Sequence, residues 1–395
     1  MTATRPAPRP GIDSGVDSRP IMLLSRSDGL GDGILSLGLL RGLRAALPDW
    51  RLVLAVVPAQ VPLFRECPWI DDVMPSAKIR DEHGLKGDAL DLIGQQVTSL
   101  REIIGDRAPQ IAVDLSMWPH PQDSTSAFVH ASGAITTVAA VDHWVDDRMH
   151  GWLDRGLGAV IRVPLGHEID RYRALAGALG VEPAESRWWD LSDHVPVALS
   201  KLGKSPAWRD APKLALGVGA QNAFRRWRPE RFAAIARRAL DRGIGVVIVG
   251  GPDAVEEGDV ITGLAGPGVT NAAGRLSLLE SAAMLSPRDL YVGNDTGTMH
   301  LAAAAGCSCL EISPHPMDGD PGVGTSPVRF APHGVPAIVL RPSTGFGSCN
   351  RQCTAGSPHC IDIISVDDVW QAIGELFPCA NSHGALGELI LAGAR

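Results

Sequence analysis

A chain of 395 residues is long enough for two domains. Hydrophobic residues make up 45% and charged residues 20%, which is typical of a globular protein with an ample core. The formal net charge of −8 argues against a broad surface for nucleic acids or anionic membranes. No apolar run reaches the roughly 18 residues that a membrane-spanning helix needs.

The N-terminal tail is rich in Pro, Arg, Ser and Asp, and it lacks the apolar centre of a signal peptide. We therefore expect residues 1–19 to be a disordered tail and the protein to be cytoplasmic, with peripheral binding at the inner membrane left open. Cys67, Cys307 and Cys309 have apolar or strand-like surroundings. These three cysteines are expected to be buried thiols.

The first folded segment reads as a strand, a glycine-rich turn and a helix. Residues 20–25 read as a buried strand, and residues 26–33 read RSDGLGDG. A helical pattern covers residues 34–47, and residues 51–57 read as the next strand. This βαβ unit predicts a parallel sheet with a right-handed crossover. The turn lies at the carboxyl end of a strand, where open α/β sheets bind ligands. Asp32, between Gly31 and Gly33, either caps the next helix or acts on a substrate.

The middle of the chain is less regular. Residues 80–107 predict a helical segment, although the glycines within it lower its helix propensity. Residues 117–155 have poor periodicity, so we expect loops there that contact the acceptor. An irregular, proline-containing stretch follows and predicts a domain boundary, which gives domains over 20–205 and 206–365.

In the second half, polar turns follow three apolar strands. The first turn contains Gly219, Arg225 and Arg226, whose guanidinium groups are either solvated or form a diphosphate clamp. The second contains Gly251 and Asp253. It leads into a helix with Glu256, and an acid there either holds ribose hydroxyls or stabilises the helix N-terminus.

The third turn, after the apolar strand DLYVG, lies within residues 291–306. It is followed by an alanine-rich helix that Gly306 ends. Asp295 or Thr296 is expected to cap this helix. Its remaining free N–H groups and its dipole suit a phosphate, although an ordinary capped helix fits the spacing equally well.

Several of these motifs resemble those of the ADP-heptose:lipopolysaccharide heptosyltransferases, glycosyltransferase family 9. The resemblance covers roughly residues 20–372. It is carried by SDGLGD at 27–32, RRWRPERF at 225–232, VGGPD at 249–253 and GNDTGTMHLAAA at 293–304. The last of these motifs is the most specific.

The resemblance implies an α/β protein of the GT-B fold, with two Rossmann-like, doubly wound parallel-sheet domains that face a cleft. It implies C-terminal helices over 366–395 that pack back on the N-terminal domain. The implied activity is an inverting glycosyltransferase that moves a heptose or related sugar from a nucleotide-diphosphate donor, ADP-heptose above all, to a hydroxyl of a glycan, lipid-linked or lipopolysaccharide-type acceptor. The transfer itself requires no cofactor.

The resemblance also implies roles for individual residues. Asp32 falls on the position of the catalytic general base, the N-terminal domain takes the acceptor and the C-terminal domain takes the nucleotide sugar. His300 lies just inside the helix of the phosphate turn, where it either binds the ligand or packs in the core. The expected donor-binding residues are Gly31, Gly219, Arg225, Arg226, Gly251, Asp253, Glu256, Asp295, Thr296, Gly297, Thr298 and His300.

Other functions stay open at this point. The first loop carries an extra Asp28, and Gly33 replaces the usual apolar residue. Residues 117–155 are not rich in Lys and Arg, as a phosphorylated acceptor would favour. The alternatives are a protein O-heptosyltransferase with a cysteine-bound metal, a nucleotide-sugar epimerase and a non-catalytic nucleotide-sugar-binding protein. The sequence leaves open the nucleotide base, the sugar, the acceptor and the oligomeric state.

Three cysteines near the C-terminus form a further candidate site. Cys349, Cys353 and Cys360 lie at short spacing, and His359 precedes the last of them. Thiols and an imidazole at such spacing hold a structural zinc or iron ion, or they are free structural thiols.

Overall fold

The computed structural model divides into two compact units, Met1–Trp189 and Asp190–Arg395. The predicted boundary, between residues 205 and 206, lies further along the chain. Helix His194–Leu202 belongs to the second unit because Ala198 and Leu199 pack in one apolar cluster with Met284. The structure describes residues 17–78, 80–81, 84–85, 88–116, 124–142, 158–346, 349, 353, 356–377 and 390–393.

The N-terminal unit alternates strands and helices along the chain. Its strands are β1 (Ile21–Arg26), β2 (Arg51–Val56), β3 (Asp72–Pro75), β4 (Arg80–Asp81), β5 (Gly84–Leu85), β6 (Ile111–Asp114), β7 (Thr136–Asp142) and β8 (Ala159–Val163). Its helices are α1 (Leu30–Leu35), α2 (Leu37–Ala46), α3 (Val61–Phe64), α4 (Ala89–Ile104), α5 (Ser124–Ala131) and α6 (Glu168–Ala178), with a 3₁₀ turn over Pro58–Gln60.

Six of these strands form one parallel sheet in the order β3-β2-β1-β6-β7-β8. The strands are apolar because both faces of the sheet are covered, and Leu23, Val53 and Ala112 are fully buried with Phe128 of α5. The direction of the strand order reverses between β1 and β6. The carboxyl ends of these two strands therefore mark the place where a doubly wound sheet binds its ligand.

The glycine-rich segment after β1 is more helical than predicted. Gly31, Asp32 and Gly33 lie in α1, and Ser36 separates α1 from α2. The prediction of a turn through residue 33 and one helix over 34–47 is therefore wrong in its bounds. One reason is local: the Asp32 carboxylate accepts a hydrogen bond from the Gly29 N–H at 3.0 Å and so favours an earlier helix start.

The C-terminal unit repeats the same alternation. Its strands are β9 (Lys213–Gly217), β10 (Gly245–Val249), β11 (Val269–Asn271), β12 (Leu290–Asn294), β13 (Ser308–Ile312), β14 (Ala337–Arg341) and β15 (Ile390–Gly393). Its helices are α7 (His194–Leu202), α8 (Pro206–Asp210), α9 (Pro229–Leu240), α10 (Val255–Ala265), α11 (Leu278–Met284), α12 (Gly297–Ala304), α13 (Pro327–Phe330) and α14 (Val366–Leu376), with 3₁₀ turns over Ala223–Arg225, Pro252–Ala254 and Cys360–Ile363.

These seven strands are parallel and lie in the order β11-β10-β9-β12-β13-β14-β15. The order reverses between β9 and β12, so Gly217 and Asn294 end the strands at the second switch point. Trp227 and Phe232 are fully buried on one side of the sheet, with ring centroids 4.9 Å apart. Two doubly wound parallel sheets confirm the predicted α/β class with two Rossmann-like units.

The C-terminal segment differs in part from its prediction. α14 packs on β13, β14 and α9 of its own unit, and its predicted packing on the N-terminal domain stays a prediction. Residues Ile390–Gly393 form β15, which pairs in parallel with β14. The prediction of helices over 366–395 is wrong for this strand. A run of four residues satisfies more backbone N–H and C=O groups by pairing with a sheet edge than by forming one helical turn.

Two predictions concern segments that the structure describes only in part. Of the tail 1–19, residues 17–19 are described, and Arg19 forms ion pairs with Asp17 and Asp71. Of the acceptor loops 117–155, residues 117–123 and 143–155 lie outside the described residues. Among the helices of the described residues, none combines the length and apolar character that crossing a bilayer requires.

Candidate active site

The ends of β9 and β12 support a loop that carries two arginines. The side chain of Asn294, at the end of β12, accepts a hydrogen bond from the Trp227 N–H at 3.0 Å and donates one to the Gly219 carbonyl at 3.1 Å. Arg225 precedes this anchor and places its Nη1 3.4 Å from Oδ2 of Asp295. The strand ends thus hold the cationic loop in place beside the predicted phosphate turn.

Arg226 is fixed by a residue that the sequence prediction did not select. Its Nε donates to the Ala220 carbonyl at 2.8 Å, and its Nη1 lies 2.9 Å from Oε1 of Glu257. The second oxygen of Glu257 accepts the Gly219 N–H at 2.8 Å. Glu257 therefore ties the β9 turn to the arginine loop, whereas the predicted Glu256 is exposed.

The helical face on which each residue lies could have distinguished Glu257 from Glu256. Residues Glu257 and Ile261 lie one helical turn apart, and Ile261 is fully buried in the core. A helical projection would therefore have placed Glu257 near the sheet and Glu256 toward solvent.

The third turn has the predicted strand, turn and helix. Thr296 occupies the N-cap position of α12, but its hydroxyl makes no capping hydrogen bond, and Asp295 pairs with Arg225 instead. The predicted capping by these side chains is therefore wrong. The Met299 N–H donates to the Thr296 carbonyl at 3.1 Å, whereas the N–H groups of Gly297 and Thr298 precede this bond, and both residues are half-buried.

The remaining predicted donor residues lie in three places. Gly219 has φ 79°, and a Cβ on it would lie 2.9 Å from the Cβ of Ala254, so the turn requires glycine. Gly251 and the exposed Asp253 lie at the carboxyl end of β10, in the same row of turns. His300 is 5% exposed within α12, which places it in the protein interior.

Two carboxyl groups are buried near the end of β12: Asp295 in the phosphate turn, and Glu311 on β13, opposite Gly293. Burial raises the pKa of Asp295 above its usual range, against the opposing attraction of Arg225. Burial also raises the pKa of Glu311, on β13, and repulsion from Asp295 adds to this effect. Both shifts favour the neutral form of these carboxyl groups, whereas the contact with Arg225 favours the charged form of Asp295.

The N-terminal unit builds a different site at its switch point. Arg26, the last residue of β1, is 2% exposed. Its Nη2 lies 2.8 Å from Oδ1 of Asp32 and 3.3 Å from Oδ2 of Asp28. The Asp32 side chain keeps 19% of its surface exposed, so one carboxylate is both fixed and accessible.

Helix α6 holds Arg26 from the opposite side. Arg26 Nη1 lies 3.3 Å from Oε1 of Glu168 and also donates to the Tyr172 hydroxyl and the Leu115 carbonyl. The Tyr172 hydroxyl in turn donates to the Asp32 carbonyl at 3.1 Å. Arg26 and Glu168 were absent from the predicted site, since residues 142 positions apart in sequence give no local signal of their pairing.

This environment sets the acidity of Asp32. Burial raises the pKa of Asp32 to about 6, although the attraction of Arg26 opposes the shift and the charges of Asp28 and Glu168 reinforce it. A carboxylate with a pKa near 6 is ionised at neutral pH and still basic enough to accept a proton in a reaction. Asp32 thus has the protonation behaviour of a general base.

The predicted cysteine site is compact in the structure. One atom each of Cys349, His359 and Cys360 lie within 4.8 Å of one another, and Cys353 Sγ is 3.2 Å from Nε2 of His359. Cys349 Sγ is 3.6 Å from the same nitrogen. A tetrahedral zinc site with the usual bond lengths has sulfur–nitrogen separations of about 3.6 Å. Cys360 Sγ lies 3.0 Å from the other ring nitrogen, Nδ1. Cys349, His359 and Cys360 can therefore each offer one ligand atom to a thiophilic metal, and Cys353 contacts the same imidazole. The three other predicted thiols, Cys67, Cys307 and Cys309, are buried as expected.

A family model and known proteins match this chain. Residues 134–310 match the model for glycosyltransferase family 9 (heptosyltransferase). The lipopolysaccharide core heptosyltransferase OpsX of Haemophilus influenzae is 25% identical over 178 residues, which are 44% of this chain and 47% of that protein. The match thus spans about half the length of this curated relative.

Solved structures match more of the chain. The glycosyltransferase of family 9 from Veillonella parvula is 21% identical with a TM-score of 0.70, over 91% of this chain and 97% of the other. The ADP-heptose lipopolysaccharide heptosyltransferase II of Escherichia coli is 20% identical with a TM-score of 0.63, over 92% and 100%. At these identities the structures show a shared fold. The family model confirms the resemblance to glycosyltransferase family 9 over residues 134–310.

Proposed function

We propose that this protein is an inverting glycosyltransferase that moves a heptose or related sugar from a nucleotide-diphosphate donor to a hydroxyl of a lipopolysaccharide-type glycan. ADP-heptose is the proposed donor, because the solved relative from E. coli is named for it. The N-terminal unit would take the acceptor and the C-terminal unit the nucleotide sugar. The proposed location is cytoplasmic.

The observation that carries the proposal is the pair of arginines beside the phosphate turn. Arg225 and Arg226 are held at the carboxyl ends of β9 and β12 by Asp295 and Glu257. Guanidinium forks match the oxygens of a diphosphate, and the N-terminus of α12 adds free N–H groups and a favourable dipole. The leaving diphosphate gains one negative charge as the bond to the sugar breaks, so these groups would stabilise it most in the transition state.

Asp32 would act on the acceptor. In the proposed step the acceptor hydroxyl attacks the anomeric carbon while the bond from that carbon to the diphosphate oxygen breaks. The hydroxyl proton passes to Asp32, and the nucleoside diphosphate leaves with the electron pair of the broken bond. One displacement of this kind inverts the anomeric carbon and needs one general base.

The cysteine cluster has a structural role in this proposal. Cys349, Cys353, His359 and Cys360 would hold a zinc or iron ion, which cross-links the chain and supplies no chemistry to the transfer. Gly251, Asp253 and Glu256 stay candidates for the nucleoside, since they lie at the end of β10 or at the start of the following helix.

The decisive experiment offers ADP-heptose and a heptose-deficient lipopolysaccharide core to the purified full chain. ADP release and a mass increase of one heptose on the acceptor are expected, and Asp32→Asn should slow both by about 10²- to 10⁴-fold while ADP binding persists. Conversion of the free donor to an epimer without acceptor would identify an epimerase. Tight donor binding without turnover would identify a binding protein. Either result would contradict the proposed function.

A further inference from the structure

The cysteine cluster is connected to the arginine loop by a short, fully structured segment. Cys360 begins the 3₁₀ turn Cys360–Ile363. Ile361 and Ile364 on this segment are fully buried in the core of the C-terminal unit. The segment therefore has one face fixed in the core and its first residue in the candidate metal site.

Three residues of the arginine segment, residues 225–232, contact this turn. Arg228 places Nε 2.9 Å from Oδ2 of Asp362, and its Nη2 lies 2.5 Å from the same oxygen. Arg231 Nη1 donates to the Asp362 carbonyl at 2.8 Å and to the Ile364 carbonyl at 2.7 Å. Trp227 Nε1 donates to the Ile364 carbonyl at 2.9 Å. Hydrogen bonds thus join the arginine segment to both the side chain and the backbone carbonyls of the turn.

Trp227 carries this connection to the other side of the loop. Its indole N–H contacts Ile364, while its backbone N–H contacts Asn294 at the end of β12. Arg225 and Arg226 directly precede it in the chain. A shift of the turn at residues 360–364 would therefore be transmitted to the two arginines through one buried side chain.

A metal ion would change the rigidity of this assembly. Nε2 of His359 lies 3.6 Å from Cys349 Sγ, and its Nδ1 lies 3.0 Å from Cys360 Sγ; hydrogen bonds to sulfur are weak interactions. Metal–thiolate and metal–imidazole bonds replace them with a cross-link that has fixed geometry. Since the cluster ends at Cys360, the cross-link would restrict the position of Asp362 two residues later.

We propose that a thiophilic divalent metal at Cys349, Cys353, His359 and Cys360 controls nucleotide-diphosphate affinity by fixing the arginine loop through Asp362 and Ile364. The inference rests on the proposed function, since it assigns a regulator to the proposed diphosphate site. Coupling between two sites is reciprocal, so nucleotide must tighten metal binding by the same factor by which metal tightens nucleotide binding.

The test uses the full chain, loaded with zinc at one ion per chain or stripped with a chelator, as measured by plasma mass spectrometry. ADP binding is measured by calorimetry. Stripping should weaken ADP binding by about 5- to 30-fold, within the usual range of coupling between sites. In Asp362→Asn, which keeps the cluster but weakens the Arg228 contact, stripping should change ADP binding to a smaller extent.

Asp367→Asn provides the matched control. It removes an exposed ion pair, with Arg238, from the helix that follows the same turn, and it should respond to metal as the wild type does. Equal ADP affinity with and without metal, a full metal response in Asp362→Asn, or a chain that binds no metal would overturn the inference.

Hydrogen exchange separates this inference from the proposed function. Metal removal should speed amide exchange over residues 221–228 with no nucleotide present. If the loaded chain fails to bind ADP yet this exchange responds to metal, the proposed donor is wrong and the metal connection stands. If ADP binds and the exchange does not respond, the connection is wrong and the donor site stands.

Discussion

The sheets of the two units have the same strand order over six strands, yet the balance of charged side chains at their switch points differs. In the N-terminal unit one buried arginine, Arg26, is surrounded by the carboxylates of Asp28, Asp32 and Glu168. In the C-terminal unit two half-buried arginines, Arg225 and Arg226, each pair with one acid, Asp295 or Glu257. The shared strand order places both candidate sites at the same point of the sheet. The side chains at that point determine whether the site suits a general base or the binding of an anion.

The base assignment is tested by the largest expected effect. Asp32→Asn should lower kcat by about 10²- to 10⁴-fold, because the variant cannot accept the acceptor proton. The dissociation constant of ADP, measured by calorimetry, should stay nearly constant. Asp49→Asn, at an exposed position of the same unit, is the control and should leave kcat unchanged. Full activity in Asp32→Asn would refute its role.

The anion site is tested by removing a guanidinium group. Arg225→Met should lower kcat/KM by about 10²-fold, because the leaving diphosphate loses one charged hydrogen-bond donor in the transition state. Steady-state rates with varied ADP-heptose measure this effect. Arg237→Met, on the exposed face of α9, serves as the control and should leave the rate unchanged. Similar losses in both variants would point to a general effect of charge.

The pH dependence tests how the N-terminal site sets its base. Since only the ionised carboxylate accepts a proton, kcat/KM should fall as the pH falls through about 6, the raised pKa of Asp32. Arg26→Lys keeps a cation but loses the forked contacts, so this limb should move up by about one pH unit. Rate profiles from pH 4.5 to 9 measure the shift. An unchanged profile would show that Arg26 does not act on Asp32.

The smallest effect concerns the glycine turn of the C-terminal site. Gly219→Ala should lower the free energy of unfolding by about 1–3 kcal/mol, because it adds a close contact with Ala254 to an unfavourable φ. Gly243→Ala has a similar φ of 72° in open space and should cost less. Urea unfolding of both variants measures the difference. Equal losses would mean that the close contact relaxes.

The predictions from sequence were most accurate where the signal is local. The alternation of apolar strands and helices predicted two parallel sheets, and the turns after the strands located Asp32, Arg225 and Asp295. They were weaker at element bounds: α1 begins at Leu30 because Asp32 bonds to the backbone of Gly29. The roles of the predicted site residues stay predictions.

The sequence alone determined the class of fold and the position of the candidate sites, because strand periodicity and turn residues act over a few positions. Only the tertiary structure decided which side chains act together. Glu168 reaches Arg26 across 142 positions, and Asp362 joins the cysteine cluster to Arg228. Such pairs depend on how distant strands and helices pack, and side-chain packing leaves no periodic trace in the sequence.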